Sequence, residues 1–196
     1  DIDEVIMGCI MQTEPRGNPA REALLKAKLS INTPAFTINK NCASSIKSIT
    51  LGASSIMLGE NNIVVAGGME SMTRAPYLLR KARNGYRLGN SEVCDFLTET
   101  LEGMGLTAER LAEKYSISRE EQDHFAYTSQ MKAAKAQELN KFNDEIVPIT
   151  IPQRKKDPLI FSTDEGIRAD SSTDKLAKLS PAFTRDGTVT AGNSST

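Results

Sequence analysis

Cys42 is the residue of this sequence whose chemical type and surroundings are best suited to catalysis. It follows a predicted strand over residues 34–39 and precedes a helical pattern that begins at Ser44. Free backbone N–H groups and the positive end of the dipole at a helix start favour the thiolate, which is the nucleophilic form of cysteine. The neighbours Ala43 and Ser45 are small, so an acyl group has room to approach, and the N–H groups could form an oxyanion hole. The pattern predicts nucleophilic catalysis by Cys42, with a buried structural cysteine as the alternative.

The remaining thiols and the single histidine predict no further catalytic or metal centre. Cys9 and Cys94 are distant from Cys42 in sequence, and the 3 cysteines give neither a zinc-type spacing nor a disulfide framework. Such cysteines indicate a reducing compartment. His124 lies opposite the small-residue face of its predicted helix and is expected at the surface, so no metal site is predicted.

The charge balance and the apolar pattern argue against nucleic-acid and membrane partners. A formal net charge of −1 gives no long-range field that would attract nucleic acid or an anionic lipid surface. The basic run Arg154–Lys156 is followed at once by Asp157 and Pro158, which predicts a solvated loop. No segment approaches the roughly 18 apolar residues that a spanning helix needs, and no basic-then-apolar leader opens the sequence. We therefore expect a soluble globular protein.

Alternating strand and helix signals in the first third of the chain predict a right-handed βαβ unit. Asn18 and Pro19 are suited to the cap and the first position of a helix. The apolar run over residues 63–66 is unbroken, which is typical of a strand buried on both faces. The predicted elements are strands at residues 5–8, 34–39 and 63–66, a helix from residue 19, and a helix over residues 44–59 with apolar side chains on one face.

The middle of the chain has a different character. Residues 77–103 are basic, contain two glycine turns and show no long period. A capping box at Ser118 and Glu121 starts a helix that is expected to reach Asn140. Pro148 interrupts a strand pattern, which favours an edge strand or a loop. The remaining expectations are a polar connection over residues 152–182 and a returning strand over residues 187–192.

Both ends of the sequence are expected to be cuts through a larger protein. The chain begins within a strand pattern at residues 3–8 and stops in a polar turn of small residues at 191–196. The sequence therefore predicts an α/β core at both ends, with an α+β insertion over roughly residues 75–190 between them.

Three blocks of the sequence form a specific combined motif. Residues 37–47 are TINKNCASSIK, residues 63–72 are IVVAGGMESM, and the stretch 178–193 contains KLSPAF and DGTVTAGN. In this order the blocks resemble the thiolase family, and the similarity runs along the whole chain while covering about the middle half of a thiolase. The resemblance implies a thiolase-like α/β fold with three parts: an incomplete N-terminal βαβ core (1–74), an inserted α+β loop domain that binds coenzyme A (75–186), and a truncated return strand (187–196).

The resemblance also implies an activity. In thiolases the cysteine that matches Cys42 is acylated, after which a second acyl-CoA condenses with the thioester or CoA releases it. Acetyl-CoA acetyltransferase is the expected type, with CoA and acetyl-CoA as substrates and no permanently bound cofactor. The family's acid and base groups lie in a C-terminal half that this sequence does not include. A homo-oligomer in the cytoplasm is expected, with mitochondria and peroxisomes as open alternatives.

Five residues match positions that contact CoA or the acyl group in the family. Arg168 falls where thiolases place an arginine beside the adenine, although an exposed arginine without a role is the alternative. Phe183 and Ala191 match positions that line the pantetheine tunnel, and Phe183 could also be a simple core residue. Met104 matches a methionine near the acyl end, and Ser195 matches a serine that contacts the pantetheine.

Several departures from the family pattern leave the acyl-chain preference open. Gly103 replaces a histidine of many acetoacetyl-CoA thiolases, Lys175 replaces a CoA-contacting serine, and the segment 95–104 is shortened. The alternatives are a medium- or long-chain 3-ketoacyl-CoA thiolase, a ketoacyl synthase, and a non-catalytic lipid-carrier or interaction module of the same fold. The motif that ends in Glu70 and Met72 favours a thiolase over a ketoacyl synthase.

Gly67 and Gly68 are also open to two interpretations. They could belong to a phosphate-binding loop, but no lysine or helix cap follows them. Close packing beside the active cysteine is the better explanation, and Met69, Glu70 and Met72 are expected to support that packing structurally.

Overall fold

The computed structural model describes residues 1–13 and 17–195, without the side chains of residues 99–102. It divides into two compact units, Asp1–Glu99 and Thr100–Thr196, which we call the first and the second unit. The strands are β1 (Glu4–Gly8), β2 (Ala35–Ile38), β3 (Val64–Gly68), β4 (Tyr77–Leu79), β5 (Val93–Asp95), β6 (Ile149–Ile151) and β7 (Leu159–Phe161). The α-helices are α1 (Pro19–Lys26), α2 (Ser44–Met57), α3 (Phe96–Tyr115), α4 (Arg119–Glu138) and α5 (Thr173–Ala177).

The first unit contains the expected parallel sheet, in the order β2-β1-β3. Gly8 pairs with Ile38 on one side and with Gly68 on the other, so the three strands end at the same edge of the sheet. The core beneath the sheet includes Ile6 and Leu24, which are almost completely buried. The predicted strands and helices of this region are confirmed, including the Asn18 cap, whose Oδ1 accepts a hydrogen bond from the Arg21 N–H at 3.2 Å.

Helix α2 packs through its small residues rather than through its apolar ones. Its buried face consists of Ser44, Ser48, Gly52 and Ser55, and Ser48 is 0% exposed. The Ser48 hydroxyl donates to the Gly67 carbonyl at 2.7 Å, and a Cβ at Gly52 would lie 2.9 Å from Val64 Cγ1. The apolar side that revealed the helix in the sequence is exposed, at Ile46, Ile49, Ile56 and Met57. The unbroken run of β3 is likewise not buried on both faces, because Val65 is exposed in this chain.

The stretch 77–103, whose sequence shows no long period, contains two short strands and the start of a helix. Strands β4 and β5 form an antiparallel pair, and α3 begins directly afterwards at Phe96. Asp95 caps this helix, since its Oδ1 accepts from the Leu97 N–H at 3.0 Å. Gly103 and Gly105 lower the helix propensity of the segment, which is why its period is not evident in the sequence. A Cβ at Gly105 would overlap the ring of Phe183, so this glycine permits a close contact.

The second unit is built around α4 and the segments that pack on it. The capping box is confirmed: Ser118 Oγ accepts from the Glu121 N–H at 3.1 Å, and Glu121 Oε2 accepts from the Ser118 N–H at 2.8 Å. Strands β6 and β7 form an exposed two-stranded hairpin, with β6 starting directly after Pro148, so the edge-strand interpretation holds. Both β7 and α5 lie within the stretch that was expected to be a polar connection.

Residues 187–192 do not form the expected strand. Thr190 makes a single bridge to Pro181, and turns follow it. The N–H groups of Thr188 and Val189 donate to the carboxylate of Glu109 instead of to a neighbouring strand. The proposed limits of the core and loop domains, at residues 74 and 186, refer to a complete thiolase and stay a prediction.

The described residues contain neither a membrane-spanning helix nor a cluster of metal-ligand type. Within residues 1–13 and 17–195, no helix combines the length and apolar composition needed to cross a membrane. In the same part of the chain, no three histidine, cysteine or acidic side chains lie together as metal ligands would. His124 is exposed on α4, as predicted.

Candidate functional site

Cys42 lies exposed in a tight turn between the end of β2 and the start of α2. Asn41, the residue before it, has a φ of +49°, a left-handed conformation that asparagine adopts more readily than most residues. Ser44 closes the turn: its Oγ accepts from the Lys40 N–H at 2.8 Å and donates to the Asn41 carbonyl at 2.6 Å. Asn39 Oδ1 accepts from the Asn41 N–H at 2.9 Å. The turn therefore presents the Cys42 thiol to solvent from a backbone held on both sides.

Two glycines allow the start of α2 to lie directly against the ends of the strands. A Cβ at Gly8 would lie 2.6 Å from the Ser44 carbonyl carbon and 2.7 Å from the Ser45 nitrogen. A Cβ at Gly68 would overlap the Ser45 hydroxyl. The expected close packing is thus confirmed at Gly68, whereas a Cβ at Gly67 would make only ordinary contacts with Met7.

A cleft of about 340 Å³ surrounds Cys42 in the first unit. Its walls come from the start of α2 and from the segments that follow β1 and β3, and they include Cys9, Cys42, Gly68 and Glu70. A space of this size next to an exposed thiol is sufficient for a small acyl thioester to approach. The cleft is therefore the candidate reaction site of the chain.

Two of the N–H groups expected in an oxyanion hole are already used within the turn. The Ala43 N–H donates to the Lys40 carbonyl at 3.2 Å, and the Ser44 N–H donates to the Asn41 carbonyl at 3.0 Å. These bonds shape the turn and do not point to a substrate oxygen. The expectation that the neighbours of Cys42 supply the oxyanion hole is therefore not supported for Ala43 and Ser44.

The other two thiols differ from Cys42 in their surroundings. Cys9 is 4% exposed, and its Sγ donates to Glu70 Oε1 at 3.4 Å. Burial, together with the hydrogen bond and charge of Glu70, raises the pKa of the Cys9 thiol to about 11. Cys94 is half-buried in β5. Of the three thiols, Cys42 is the one that combines exposure with a cleft.

The second unit brings three of the proposed CoA contacts together. Met104, Phe183 and Ser195 line one cleft of about 410 Å³, which Val189 and Asn193 also border. Met104 is exposed, and Phe183 is half-buried with its ring against Gly105. A cleft lined mainly by apolar residues, with Asn193 and Ser195 as polar groups, is suited to a chain such as pantetheine.

The other two proposed contacts, Arg168 and Ala191, line a separate cleft of about 320 Å³ in the same unit. The Arg168 backbone N–H donates to Gln130 Oε1 at 2.8 Å, while the residue itself is exposed. Lys175, which stands at a serine position of the family, borders this cleft and bonds Asp170 Oδ2 at 2.8 Å. The hydrogen bond and charge of Lys175 lower the pKa of Asp170.

No sequence pattern marks Glu109, which holds the segment before Ala191. Glu109 Oε1 accepts from the N–H groups of Thr188 at 3.0 Å and Val189 at 2.9 Å, and Oε2 accepts from the Thr188 hydroxyl at 3.1 Å. Burial raises the pKa of Glu109, but the bonds from Thr188 and Val189 outweigh it and lower the pKa below its ordinary value. The partners are separated by 79 and 80 residues, so no local pattern could reveal the contact.

A buried carboxylate, Asp123, fixes the other end of the same segment. Arg119 Nε donates to Asp123 Oδ2 at 2.8 Å, and Asn193 Nδ2 donates to Asp123 Oδ1 at 3.0 Å. Asn193 Oδ1 in turn accepts from the Thr190 N–H at 2.7 Å. The spacing of four between Arg119 and Asp123 on a helix is the one signal in the sequence that could have found part of this network.

Comparison with known proteins assigns the family. The model of the thiolase N-terminal domain matches residues 1–196. The chain belongs to the thiolase family, and the thiolase-like α/β fold expected from the motifs is confirmed.

Three bacterial proteins illustrate the similarity. A probable acetyl-CoA acyltransferase of Staphylococcus aureus (strain COL) is 52% identical over all of this chain and 51% of its own length. An acetyl-CoA acetyltransferase of Chromobacterium violaceum is 50% identical over all of the chain and 52% of its own length. The crystal structure of the Bacillus anthracis acetyl-CoA acetyltransferase has a TM-score of 0.94 and 46% identity, covering 99% of this chain and 50% of that one. The chain thus spans about half the length of the relatives that it matches.

Proposed function

We propose that the complete protein is an acyl-CoA C-acyltransferase of the acetyl-CoA acetyltransferase type, with Cys42 as the residue that carries the acyl group. The observation that carries the proposal is the exposed Cys42 thiol in its cleft at the start of α2. It is supported by family membership and by relatives named acetyl-CoA acyltransferase or acetyltransferase at about half identity.

The proposed reaction has two stages. The Cys42 thiolate attacks the thioester carbon of acyl-CoA, the tetrahedral intermediate collapses, and the bond to the CoA sulfur breaks to leave acyl-Cys42 and CoA. In the second stage a base removes a proton from C2 of a second acyl-CoA, and this carbon attacks the acyl-Cys42 thioester, so that a 3-ketoacyl-CoA forms and the Cys42 thiolate leaves. Thiolysis is the reverse: the Cys42 thiolate attacks the 3-keto carbon, the C2–C3 bond breaks, the departing acyl-CoA carbon is protonated, and CoA then takes the acyl group from Cys42. His124 is exposed on a helix of the second unit. We assign the acid and base to the half of the family's length that this chain does not span.

The second unit supplies the proposed CoA contacts. In this proposal Arg168 lies beside the adenine, Phe183 and Ala191 line the pantetheine channel, Ser195 contacts the pantetheine, and Met104 lies near the acyl end. CoA and acyl-CoA act as substrates and not as bound cofactors. The arrangement of these residues in two clefts of one unit supports a shared binding role. A homo-oligomeric cytoplasmic enzyme, as in the expectation from the motifs, completes the proposal.

The deciding experiment measures acylation of the complete protein. Incubation with carbon-14-labelled acetyl-CoA, followed by peptide mapping, should place the label on Cys42. Cys42→Ser should abolish the label and lower kcat for thiolysis by about 1,000-fold or more. Cys94→Ser is the matched control and should retain both. Label on another residue, or full turnover by Cys42→Ser, would refute the role of Cys42.

A preference for longer acyl chains is the second candidate, and one observation favours it. Gly103 stands where many acetoacetyl-CoA thiolases carry a histidine, and a Cβ there would find no atom within 4 Å. The added space next to Met104 suits a longer chain. Values of kcat/KM for 3-ketoacyl-CoA substrates of four, eight and twelve carbons distinguish the two types, because the acetyl type should decline steeply with length. Binding of acyl-CoA without any acylation of Cys42 would instead indicate a lipid carrier.

A further inference from the structure

The Glu70 side chain links the segments after β1 and β3, just beyond the last backbone hydrogen bond between these strands. The last ladder bond between the two strands is donated by the Met69 N–H to the Gly8 carbonyl at 2.9 Å. Beyond it, Glu70 Oε2 accepts from the Ile10 N–H at 2.7 Å and Oε1 accepts from the Met11 N–H at 3.1 Å. The Glu70 carboxylate therefore accepts the N–H groups that a strand carbonyl would accept if the sheet continued. It holds the segment after β1 against the segment after β3.

The same carboxylate holds a second thiol of the cleft. Cys9 Sγ donates to Glu70 Oε1 at 3.4 Å and to the Met11 carbonyl at 3.6 Å. Burial and the adjacent carboxylate both disfavour a thiolate, and they raise the pKa of Cys9 to about 11. A thiol in this state is a poor nucleophile at neutral pH.

Cys9, Glu70 and Cys42 all border one cleft. An acyl thioester that enters this space meets two thiols, and exchange with either would give an acyl-cysteine and free CoA. Acyl-Cys9 would be a dead end, because a buried thioester is not accessible to the second substrate. An interaction that favours acylation of Cys42 over acylation of Cys9 therefore keeps the acyl group accessible to the second substrate.

We propose that Glu70 is the positioning residue of this cleft and directs acylation to Cys42. Its carboxylate holds the wall formed by Cys9, Ile10 and Met11, and it accepts the hydrogen bond that the Cys9 thiol donates. The inference rests on the proposed function of Cys42. Both oxygens of Glu70 accept hydrogen bonds from the wall, so we assign it no proton transfer with Cys42. Glu70 therefore affects the reaction indirectly, by holding the wall and by accepting the hydrogen bond from Cys9.

The test is Glu70→Gln in the complete protein, with Glu60→Gln as the matched control. An NH₂ group at the position of Oε1 removes the acceptors of Met11 and Cys9, and one at the position of Oε2 removes the acceptor of Ile10. Either orientation loses a wall bond and the negative charge beside Cys9. We expect the acylation rate of Cys42 to fall about tenfold, which corresponds to the loss of about one hydrogen bond to a charged group. Iodoacetamide should label Cys9 at least about tenfold faster in the variant. Glu60 is exposed in the bend after α2, and its variant should behave as wild type.

The pattern of labels separates a positioning role from a merely structural one. A general loss of stability would lower the melting temperature and activity while leaving the ratio of Cys9 to Cys42 labelling unchanged, and that result would overturn the proposal. So would wild-type labelling of both thiols in Glu70→Gln. Failure of wild-type protein to acylate Cys42 would refute the proposed function instead, whatever the variant does.

A second measurement keeps the proposal testable if Glu70→Gln does not fold. In the wild-type protein, iodoacetamide should modify Cys42 first and Cys94 later, and should leave Cys9 unmodified through about pH 9 under native conditions. Modification of Cys9 at the rate of Cys94 would show that Glu70 does not restrain it, and the proposal would fail.

Discussion

The two units of the chain form their candidate sites by different means. In the first unit, the cleft around Cys42 depends on backbone in close contact: Gly8 and Gly68 leave no room for a Cβ, and Asn41 adopts a left-handed conformation. In the second unit, the segment that leads to Ala191 and Ser195 is held by the carboxylates of Glu109 and Asp123. The turn that carries Cys42 is thus fixed by steric contact, with Glu70 holding only the opposite wall of its cleft, whereas the segment before Ala191 is held by hydrogen bonds to charge.

This difference predicts opposite sensitivities. Adding a methyl group near Cys42 should disturb the first site, because close-packed backbone cannot relax easily. Removing a charge should disturb the second, because a buried donor without an acceptor costs free energy. Each change can be made in one unit and scored in both, with alkylation of Cys42 reporting on the first and CoA affinity reporting on the second.

Asp123→Ala should have the largest effect. Asp123 is 3% exposed and pairs with Arg119, so its loss leaves a partly buried guanidinium without its carboxylate. The Asn193 amide also loses one of its two acceptors and keeps the Thr188 carbonyl. We expect the free energy of unfolding to fall by about 3–5 kcal/mol and CoA binding to weaken, with the alkylation rate of Cys42 unchanged. Urea denaturation and titration calorimetry measure the two quantities.

The control for this change is Asp144→Ala. Asp144 is exposed and outside any helix, so its variant should stay within about 0.5 kcal/mol of wild type. An equal loss in both variants, or slower alkylation of Cys42 in Asp123→Ala, would remove the contrast between the units.

Gly8→Ala should come next and act on the other unit. Its new Cβ would lie 2.6 Å from the Ser44 carbonyl carbon, and backbone at a helix start cannot move aside as a flexible side chain would. We expect a loss of about 3 kcal/mol in the free energy of unfolding and slower acylation of Cys42, with CoA affinity retained. Unchanged stability would show that α2 moves freely on the sheet, and the steric account of the first site would be wrong.

The same contrast explains how much could be predicted from sequence. The Cys42 turn, the strands beside it and the Ser118 capping box are local patterns, so a short stretch of sequence predicts each of them. The bonds of Glu109 and of Glu70 join residues about 60 to 80 positions apart. Nothing in a single sequence marks such pairs, since an acidic residue on a helix or after a strand is usually solvated.

Helix α2 illustrates a second limit. Its period correctly predicted a helix, but apolar residues did not identify the packed face, because Ser44, Ser48 and Gly52 allow a closer approach to the sheet than large side chains would. The sequence does not reveal helix α3 for a related reason. Gly103 and Gly105 lower the helix propensity of this segment, and Gly105 makes room for the ring of Phe183. In both helices, small residues serve tertiary contacts and obscure the local signal.

Glu109→Gln should have a smaller effect that depends on pH. The folded-state pKa of Glu109 lies below its ordinary value of 4.5, so the carboxylate stabilises the fold fully above that value and loses the contribution as pH falls through the folded-state pKa. At pH 7 we expect the variant to be less stable by about 1–2 kcal/mol, the scale of a hydrogen bond to a charged group. Urea midpoints of the two proteins should begin to converge as the pH falls below 4.5. A constant difference from pH 7 to pH 3 would show that charge on Glu109 does not hold the segment.

Gly103→Ala should have the smallest effect and the opposite sign. Gly103 lies in α3 with a negative φ, and a Cβ there would meet no atom within 4 Å, so alanine should stabilise the helix by about 0.5–1 kcal/mol. Gly8→Ala adds the same methyl group at a position that has no room for it. Comparing the stability changes of the two variants separates the steric cost of a methyl group from the gain in helix propensity. We expect Gly103→Ala to have a higher melting temperature and an unchanged kcat/KM for acetoacetyl-CoA. This result would support an open position beside Met104. A lowered melting temperature, or a selective loss of activity towards longer acyl chains, would show that the complete protein or its substrate occupies that space.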